Sequence, residues 1–354
     1  MPTIPVNDEG AVLYYEDSGA PQGAKDYSTI FLLHGFIFHG ATFRPSFQHA
    51  LSKNIRMVAI NQREYPGSSP LNDHEIANVW SSDPNRQANA LREQAVELAV
   101  FMARFIDGEN IPAPKRVNGQ EVGGVSFLAW SQGNGPLLSL LANISQLDNR
   151  TNAVLERYMR TVFVYDPPSM ILGVPSPPDT VTPIDNPEVP FENKAQEFID
   201  WAAAYWNPLQ TPESITTEAL VNRYDMHKAT QDDQYLPTSV RLPKNELDAL
   251  TSPEILPRVG VALSFHREVY AECLRRALFD TKGRWRNLRV VALWPDMTIW
   301  PCSLGGRALA DMISSPAGKD AVRRDMEMVR INGVNHFYHY AHPAEFTELI
   351  ERYL

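Results

Sequence analysis

Cysteine is almost absent from this chain: Cys273 and Cys302 are the two examples in 354 residues. Two cysteines cannot build a disulfide framework, so stability has to come from a buried core. Their plain reading is a pair of reduced thiols. No apolar stretch approaches the ~18 residues that a membrane span needs. The apolar runs are short and broken by Gly, Pro or a charge. Met1 to Gly10 holds neither a basic nor an apolar run, so no secretory leader is expected there, and the expected location is cytoplasmic. Positive charge is in deficit, with 32 Lys and Arg against 42 Asp and Glu, a net −10. Such a chain has no general electrostatic reason to bind nucleic acid or an anionic membrane. There is no internal repeat. Disorder as the main state is excluded too, because 44% of the residues are hydrophobic and can bury a core.

Proline, by contrast, is in excess. Fourteen of the 28 prolines lie between Pro167 and Pro257. Outside that stretch, short apolar runs alternate with helix-like segments. Thr29–Leu33, Arg56–Ile60, Val122–Trp130, Thr161–Tyr165, Arg289–Trp294 and Met326–Ile331 read as strands buried on both faces. Phe43–Ser52, Pro84–Asp107, Gly133–Leu147, Ser303–Ile313 and Pro343–Leu354 read as helices. Asp83 is the expected N-cap of the longest helix, with Pro84 at its first position and Gly108 as its stop. Ala11–Glu16 is the expected antiparallel edge. This alternation predicts an α/β fold with a mostly parallel central sheet and helices on both faces. The alternation fails once, over residues 167–286, which hold apparent helices at Phe191–Trp206 and Glu254–Phe279 but no clean strand. The expected organisation is a core of residues 1–166 and 287–354 with a mainly helical, Pro-rich cap inserted at 167–286. Proline restrains the path of a linker, which favours a defined cap over a freely opening lid.

The strongest chemical signal is Ala129-Trp130-Ser131-Gln132-Gly133, between a predicted strand and a predicted helix. A serine on a sharp strand-to-helix turn needs small residues two positions either side, so the string is G-x-S-x-G with Ala for the first Gly. A serine that merely caps a helix would not need them. In this the chain resembles the α/β-hydrolase superfamily. His34-Gly35-Phe36 resembles the HG-x loop of that superfamily. The resemblance implies an oxyanion hole made by the backbone N–H groups of Phe36 and Gln132, with His34 and Gly35 shaping the loop. Asn61–Ser69 resembles the D-x-R-G-x-G-x-S segment, with Asn for Asp and with Glu and Pro for two glycines; no catalytic role is carried onto it. Asn332-Gly333-Val334-Asn335-His336-Phe337 resembles the G-x-x-H-F segment, which makes His336 the general base.

The acid has two candidates. Asp296 follows the strand ending at Trp294, near the usual family position but one residue out of frame. Asp166 ends the preceding strand in Tyr165-Asp166-Pro167, and some members of the superfamily take their acid there. A metal at His336, His339 and His342 is not expected, because no acid or cysteine joins them. Ser131 at the elbow argues against epoxide hydrolases and haloalkane dehalogenases, which use a carboxylate there. The implied function is a cofactor-free serine hydrolase that cleaves an ester or lactone of a small hydrophobic molecule through an acyl-enzyme. The alternatives are a lyase or acyltransferase that reuses the triad, or a low-turnover ligand-binding protein.

Overall fold

The computed structural model describes residues 2–178, 180–209, 215–316 and 322–354. Eight strands form one sheet: β1 (Thr3–Pro5), β2 (Val12–Asp17), β3 (Ser28–Leu33), β4 (Ile55–Ile60), β5 (Val125–Trp130), β6 (Met159–Tyr165), β7 (Arg289–Pro295) and β8 (Asp325–Ile331). Their spatial order is β1-β2-β4-β3-β5-β6-β7-β8. β1 and β2 pair antiparallel at one edge, and every pairing from β4 to β8 is parallel.

Successive side chains on a strand point to opposite faces, so each apolar run supplies two cores. Phe31, Leu33, Val58, Ile60, Phe127, Ala129, Val162 and Val164 line one face. Ile30, Leu32, Met57, Ala59, Leu128, Trp130, Phe163 and Tyr165 line the other. Helices cover both: α1 (Arg44–Leu51), α2 (Pro84–Gly108), α3 (Asn134–Ala142), α4 (Phe191–Ala203), α5 (Arg267–Leu274), α6 (Trp300–Ser314) and α7 (Pro343–Glu351). α2 presents Leu98, Phe101, Met102 and Phe105 to the first face, and α7 presents Phe346, Leu349 and Ile350 to the second. The Asp83 carboxylate caps α2 by accepting from Asn85 N–H at 2.9 Å.

Between β6 and β7 the described residues contain helices and turns but no named strand. The expected helix over Glu254–Phe279 is broken into pieces: turns at Pro253–Ile255 and Gly260–Ser264, a short helix Leu256–Val259, then α5 running into a π-helical turn at Arg275–Phe279. Pro253 and Pro257 each lack an N–H, which confines them to the starts of separate short turns. α5 packs on α2 and α3, and Leu274, Ala277 and Leu278 join the first core. This end of the 167–286 stretch therefore sits in the helical layer of the sheet.

The rest of the stretch is tied to the sheet's loops. Ser252 N–H donates to Ile37 O at 2.7 Å and His39 N–H to Leu250 O at 3.1 Å. Trp206 N–H donates to Met297 O at 3.0 Å. Phe198 of α4 meets Phe36 edge-on at 5.6 Å.

Candidate active site

β5 ends at Trp130, and Ser131 follows with φ +55 before α3 begins. A left-handed φ is strained for a residue with a Cβ, and it is what turns the chain sharply enough to present this side chain. Gly133 makes the turn possible, since a Cβ there would lie 2.5 Å from His34 O. Gly35 has a similar reason, because its Cβ would lie 2.8 Å from Ser131 Cβ. The His34-Gly35-Phe36 backbone is thereby pressed against the serine.

His34 holds this loop and is fully buried. Gln62 N–H donates to its Nε2 at 3.0 Å, so Nδ1 carries the proton and donates to Gly35 O at 2.8 Å. Burial pushes its pKa down to about 3, so the imidazole stays neutral. Tyr65 adds a second tie: Ile37 N–H donates to its hydroxyl oxygen at 3.1 Å. The segment Asn61–Ser69 thus scaffolds the loop. Asn61 accepts from Gly40 N–H and donates to Pro66 O, both at 2.8 Å. Glu64 stands where the related segment has glycine and adopts φ +76; Arg258 Nη2 donates to its carboxylate at 2.9 Å.

Asp166 and His336 come together. His336 Nδ1 lies 2.6 Å from Asp166 Oδ2, with both groups buried. Thr298 Oγ1 donates to the same carboxylate oxygen. Burial raises the Asp166 pKa, while His336, Thr298 and Arg223 act against that rise. Asp296 sits elsewhere. Its Oδ2 accepts from Arg330 Nη2 and its Oδ1 from Gly333 N–H, each at 2.7 Å. It therefore ties the loop after β7 to the loop that delivers His336, and does not touch the imidazole. Trp130, beside the serine, donates from Nε1 to His336 O at 3.0 Å, and the two rings lie 4.8 Å apart. No hydrogen bond joins Ser131 Oγ to His336 Nε2 among the described residues; such contacts commonly tighten only with substrate bound.

Thr298, Tyr65 and Trp130 escape the sequence reading. Trp130 and Tyr65 lie inside quoted motifs, but nothing in the string signals their contacts. Thr298 is two residues beyond Asp296, and its partner lies on the neighbouring strand. Cys302 Sγ is 3.9 Å from His336 Nδ1. Among the described residues, Asp166, Cys302 and His336 form the one cluster spaced for a metal ion, and His339 and His342 are not part of it. Burial and the nearby Asp166 charge push the Cys302 thiol well up, which opposes the thiolate that a metal would need. His339 is buried, and burial pushes its pKa well down. A cleft beside the elbow is lined by Phe36, Gln132, Pro136, Leu71 and Leu98, with Gln62 and Glu97 adding polar atoms.

Residues 30–349 match the model of the alpha/beta hydrolase family, and the chain belongs to that family. No curated protein matches the sequence. Among solved structures, the esterase EaEST from Exiguobacterium antarcticum aligns at 12% identity over 99% of this chain and 98% of its own, TM-score 0.55. The haloalkane dehalogenase DatA from Agrobacterium tumefaciens C58 aligns at 13% identity over 99% and 95%, TM-score 0.54. A bromoperoxidase from Bacillus anthracis aligns at 12% over 99% and 98%, TM-score 0.52. At such identities the likeness extends to the fold alone.

Proposed function

We propose that this chain is a serine hydrolase acting on an ester or lactone of a small, largely hydrophobic molecule. The observation that carries the reading is the pairing of a strained elbow serine, Ser131 at φ +55, with an adjoining buried Asp166–His336 contact of 2.6 Å. An elbow carboxylate would define a different chemistry, and this chain has a hydroxyl there. His336 Nε2 takes the Ser131 proton as Oγ attacks the acyl carbon. Asp166 holds the imidazole by Nδ1–H and stabilises the imidazolium that forms. The tetrahedral oxyanion rests on the backbone N–H groups of Phe36 and Gln132. His336 then gives its proton to the departing alcohol, and a water, deprotonated by the same imidazole, releases the acid. No step calls for a metal or an organic cofactor. The apolar side of the cleft beside Gln132, formed by Phe36, Leu71, Leu98 and Pro136, supports a substrate with a hydrophobic portion, while Gln62, Arg63, Gln94 and Glu97 give the same cleft a polar side.

The test is a panel of p-nitrophenyl esters and lactones assayed with the wild type and S131A, together with fluorophosphonate labelling. The wild type should label and turn over, while S131A should not label and should lose at least ~10³-fold in rate. Turnover retained in folded S131A would remove the reading. In labelled water the acid product must carry the label, which separates hydrolysis from lyase or acyltransferase chemistry.

A further inference from the structure

The cleft beside the elbow holds a charge that the hydrolytic steps do not use. Glu97 lies on α2 and is 7% exposed, yet it lines this cleft together with Phe36 and Gln132, the two residues proposed for the oxyanion hole. Its Oε1 accepts from Arg63 Nη1 at 2.7 Å and from Asn7 Nδ2 at 2.8 Å. Both bonds fall on one oxygen, and Oε2 accepts none among the described residues. Gln62 links this wall to the elbow. It lines the cleft, and its Nε2 donates to His34 O at 3.1 Å.

Arg63 does not neutralise this carboxylate alone. Its guanidinium is shared with Glu75, through Nη1 at 3.3 Å and Nη2 at 3.0 Å, and it also donates to Ser69 O and Pro70 O. One cation thus serves two carboxylates, and the group Glu75–Arg63–Glu97 holds a surplus negative charge when both acids are ionised. A second, smaller hollow shares Leu71, Val79, Gln94 and Glu97 with the cleft and adds Glu75 and Glu93. Glu93 and Gln94 stand one turn before Glu97 on α2, so the three share a face. Arg63 is the one basic residue lining either hollow among the described residues.

The rest of the cleft is apolar or neutral. Burial pushes the Tyr65 hydroxyl up, so it stays uncharged. Gln62, Gln94 and Gln132 offer amides that already suit a neutral polar group. Burial pushes the Glu97 carboxyl up to about 7, with Arg63 opposing the rise and the Glu75 charge adding to it. A carboxylate with surplus charge is costly to bury, and a ligand cation offsets that cost where a neutral donor does not. Arg63 would keep Glu75 as its partner without Glu97, so pairing that arginine does not by itself call for a second acid.

We propose that Glu97 is a specificity-determining residue that binds a protonated amine, so that the ester or lactone cleaved here carries a basic nitrogen on an otherwise hydrophobic body. The inference rests on the serine-hydrolase reading and names the substrate class of the same site. The apolar wall takes the hydrocarbon, Glu97 Oε2 accepts from the ammonium, and the acyl carbon lies toward Phe36 and Gln132. The amine keeps its proton throughout, and no covalent bond changes at Glu97. A charge-assisted bond of this kind is the strong kind in a shielded cleft.

The experiment compares matched esters that differ by ammonium against methyl: p-nitrophenyl 6-aminohexanoate with the heptanoate, and p-nitrophenyl 4-(aminomethyl)benzoate with the 4-ethylbenzoate. In the wild type at pH 8, kcat/KM for the amine should exceed that of its partner at least about tenfold in one pair. E97Q should bring that ratio to about one. No preference in either pair, or a ratio kept in E97Q, overturns the proposal. A merely structural Glu97 would lower both esters by the same factor. The ratio should also fall from pH 8 to pH 6 as Glu97 takes up its proton, while the amines stay charged and His336 acts equally on both esters. Should E97Q fail to fold, that wild-type pH dependence decides, and a flat ratio overturns the proposal. Calorimetric binding of hexylamine against hexan-1-ol separates the two readings. If no ester or lactone is turned over, the hydrolase reading fails. The Glu97 proposal then stands if hexylamine binds at least about tenfold tighter at pH 8 and loses that margin at pH 6, and falls otherwise.

Discussion

Two carboxylates leave the sheet at the ends of neighbouring strands, and their surroundings differ in one respect. Asp166, after β6, is fully buried, adopts φ +47, and has His336 and Thr298 as its partners. Asp296, after β7, is also buried but carries Arg330 on one oxygen and Gly333 N–H on the other. A carboxylate already matched by a guanidinium gains little from an imidazolium. One whose partners are a hydroxyl and an imidazole has its charge available to it. The contrast teaches that strand position alone does not choose an acid on this fold. The one that meets the histidine is the carboxylate without a touching cation, turned toward it by a left-handed backbone, and on the proposed function it is the acid.

The sharpest way to break the comparison is to neutralise each acid separately. D166N should lower kcat on an activated ester by roughly 10⁴-fold, the scale on which a triad acid acts, with KM little changed. D296N should stay within about tenfold of the wild type. Its main effect should be a modestly lower Tm, because a partly buried ion pair loses its negative partner and Arg330 is left without a carboxylate. Steady-state kinetics and thermal denaturation of both variants decide it. If D296N were the slower enzyme, the two carboxylates would exchange roles.

How much of this was legible in the string depends on how far each partner lies along the chain. The six central strands and α2 with its Asp83 cap follow from local periodicity, and each lies within a few residues of its expected bounds. The elbow and the His34-Gly35 loop were legible for a similar reason: sterics impose glycine at 35 and 133, and glycine is visible in a sequence. The choice between the two candidate acids was not, because Asp166 and His336, which meet in space, are 170 positions apart. The one-residue frame offset at Asp296 left it open beside Asp166 as a candidate acid, and nothing in the string names Arg330 as its partner. The hairpin Lys115–Val117 and Gln120–Val122 was missed although Asn118-Gly119, both at positive φ, is a strong local turn signal. Its strands are exposed and polar, and a search for apolar runs passes over them. Between β6 and β7, single Pro and Gly residues cut a periodic pattern into short turns, and periodicity alone cannot show where the pieces go.

A smaller effect separates buried neutral groups from paired charged ones. His34 has its folded pKa pushed down to about 3 and His39 to about 4, both by burial. A depressed histidine contributes stability that is full above its unfolded pKa of ~6.5 and is lost as pH falls from there toward the folded value. At pH 5 the loss is about 2 kcal/mol for each such group. Denaturant midpoints should therefore fall between pH 7 and pH 5, and H34N should flatten that slope, since Asn Nδ2–H can still donate to Gly35 O. An equal slope in H34N would show that other groups dominate the acid response.

The smallest effect concerns what keeps Asp166 in place once no cation touches it. The Thr298 hydroxyl donates to Asp166 Oδ2, the oxygen that also meets His336. T298V keeps the volume but withdraws the donor, so the carboxylate loses a hydrogen bond to a charged acceptor, a term of about 1.5–3 kcal/mol. Part of that loss is shared by the ground state and the transition state, so kcat should drop only about three- to tenfold. The acid limb of kcat/KM should move upward, because a carboxylate with one fewer donor holds a proton more readily. T298S, which restores the hydroxyl, should restore both. If T298V matched D166N in severity, the hydroxyl would have to act on the reacting atoms directly. The contrast between the two acids would then extend to this threonine, which follows one carboxylate by two residues in the chain and donates its hydroxyl to the other.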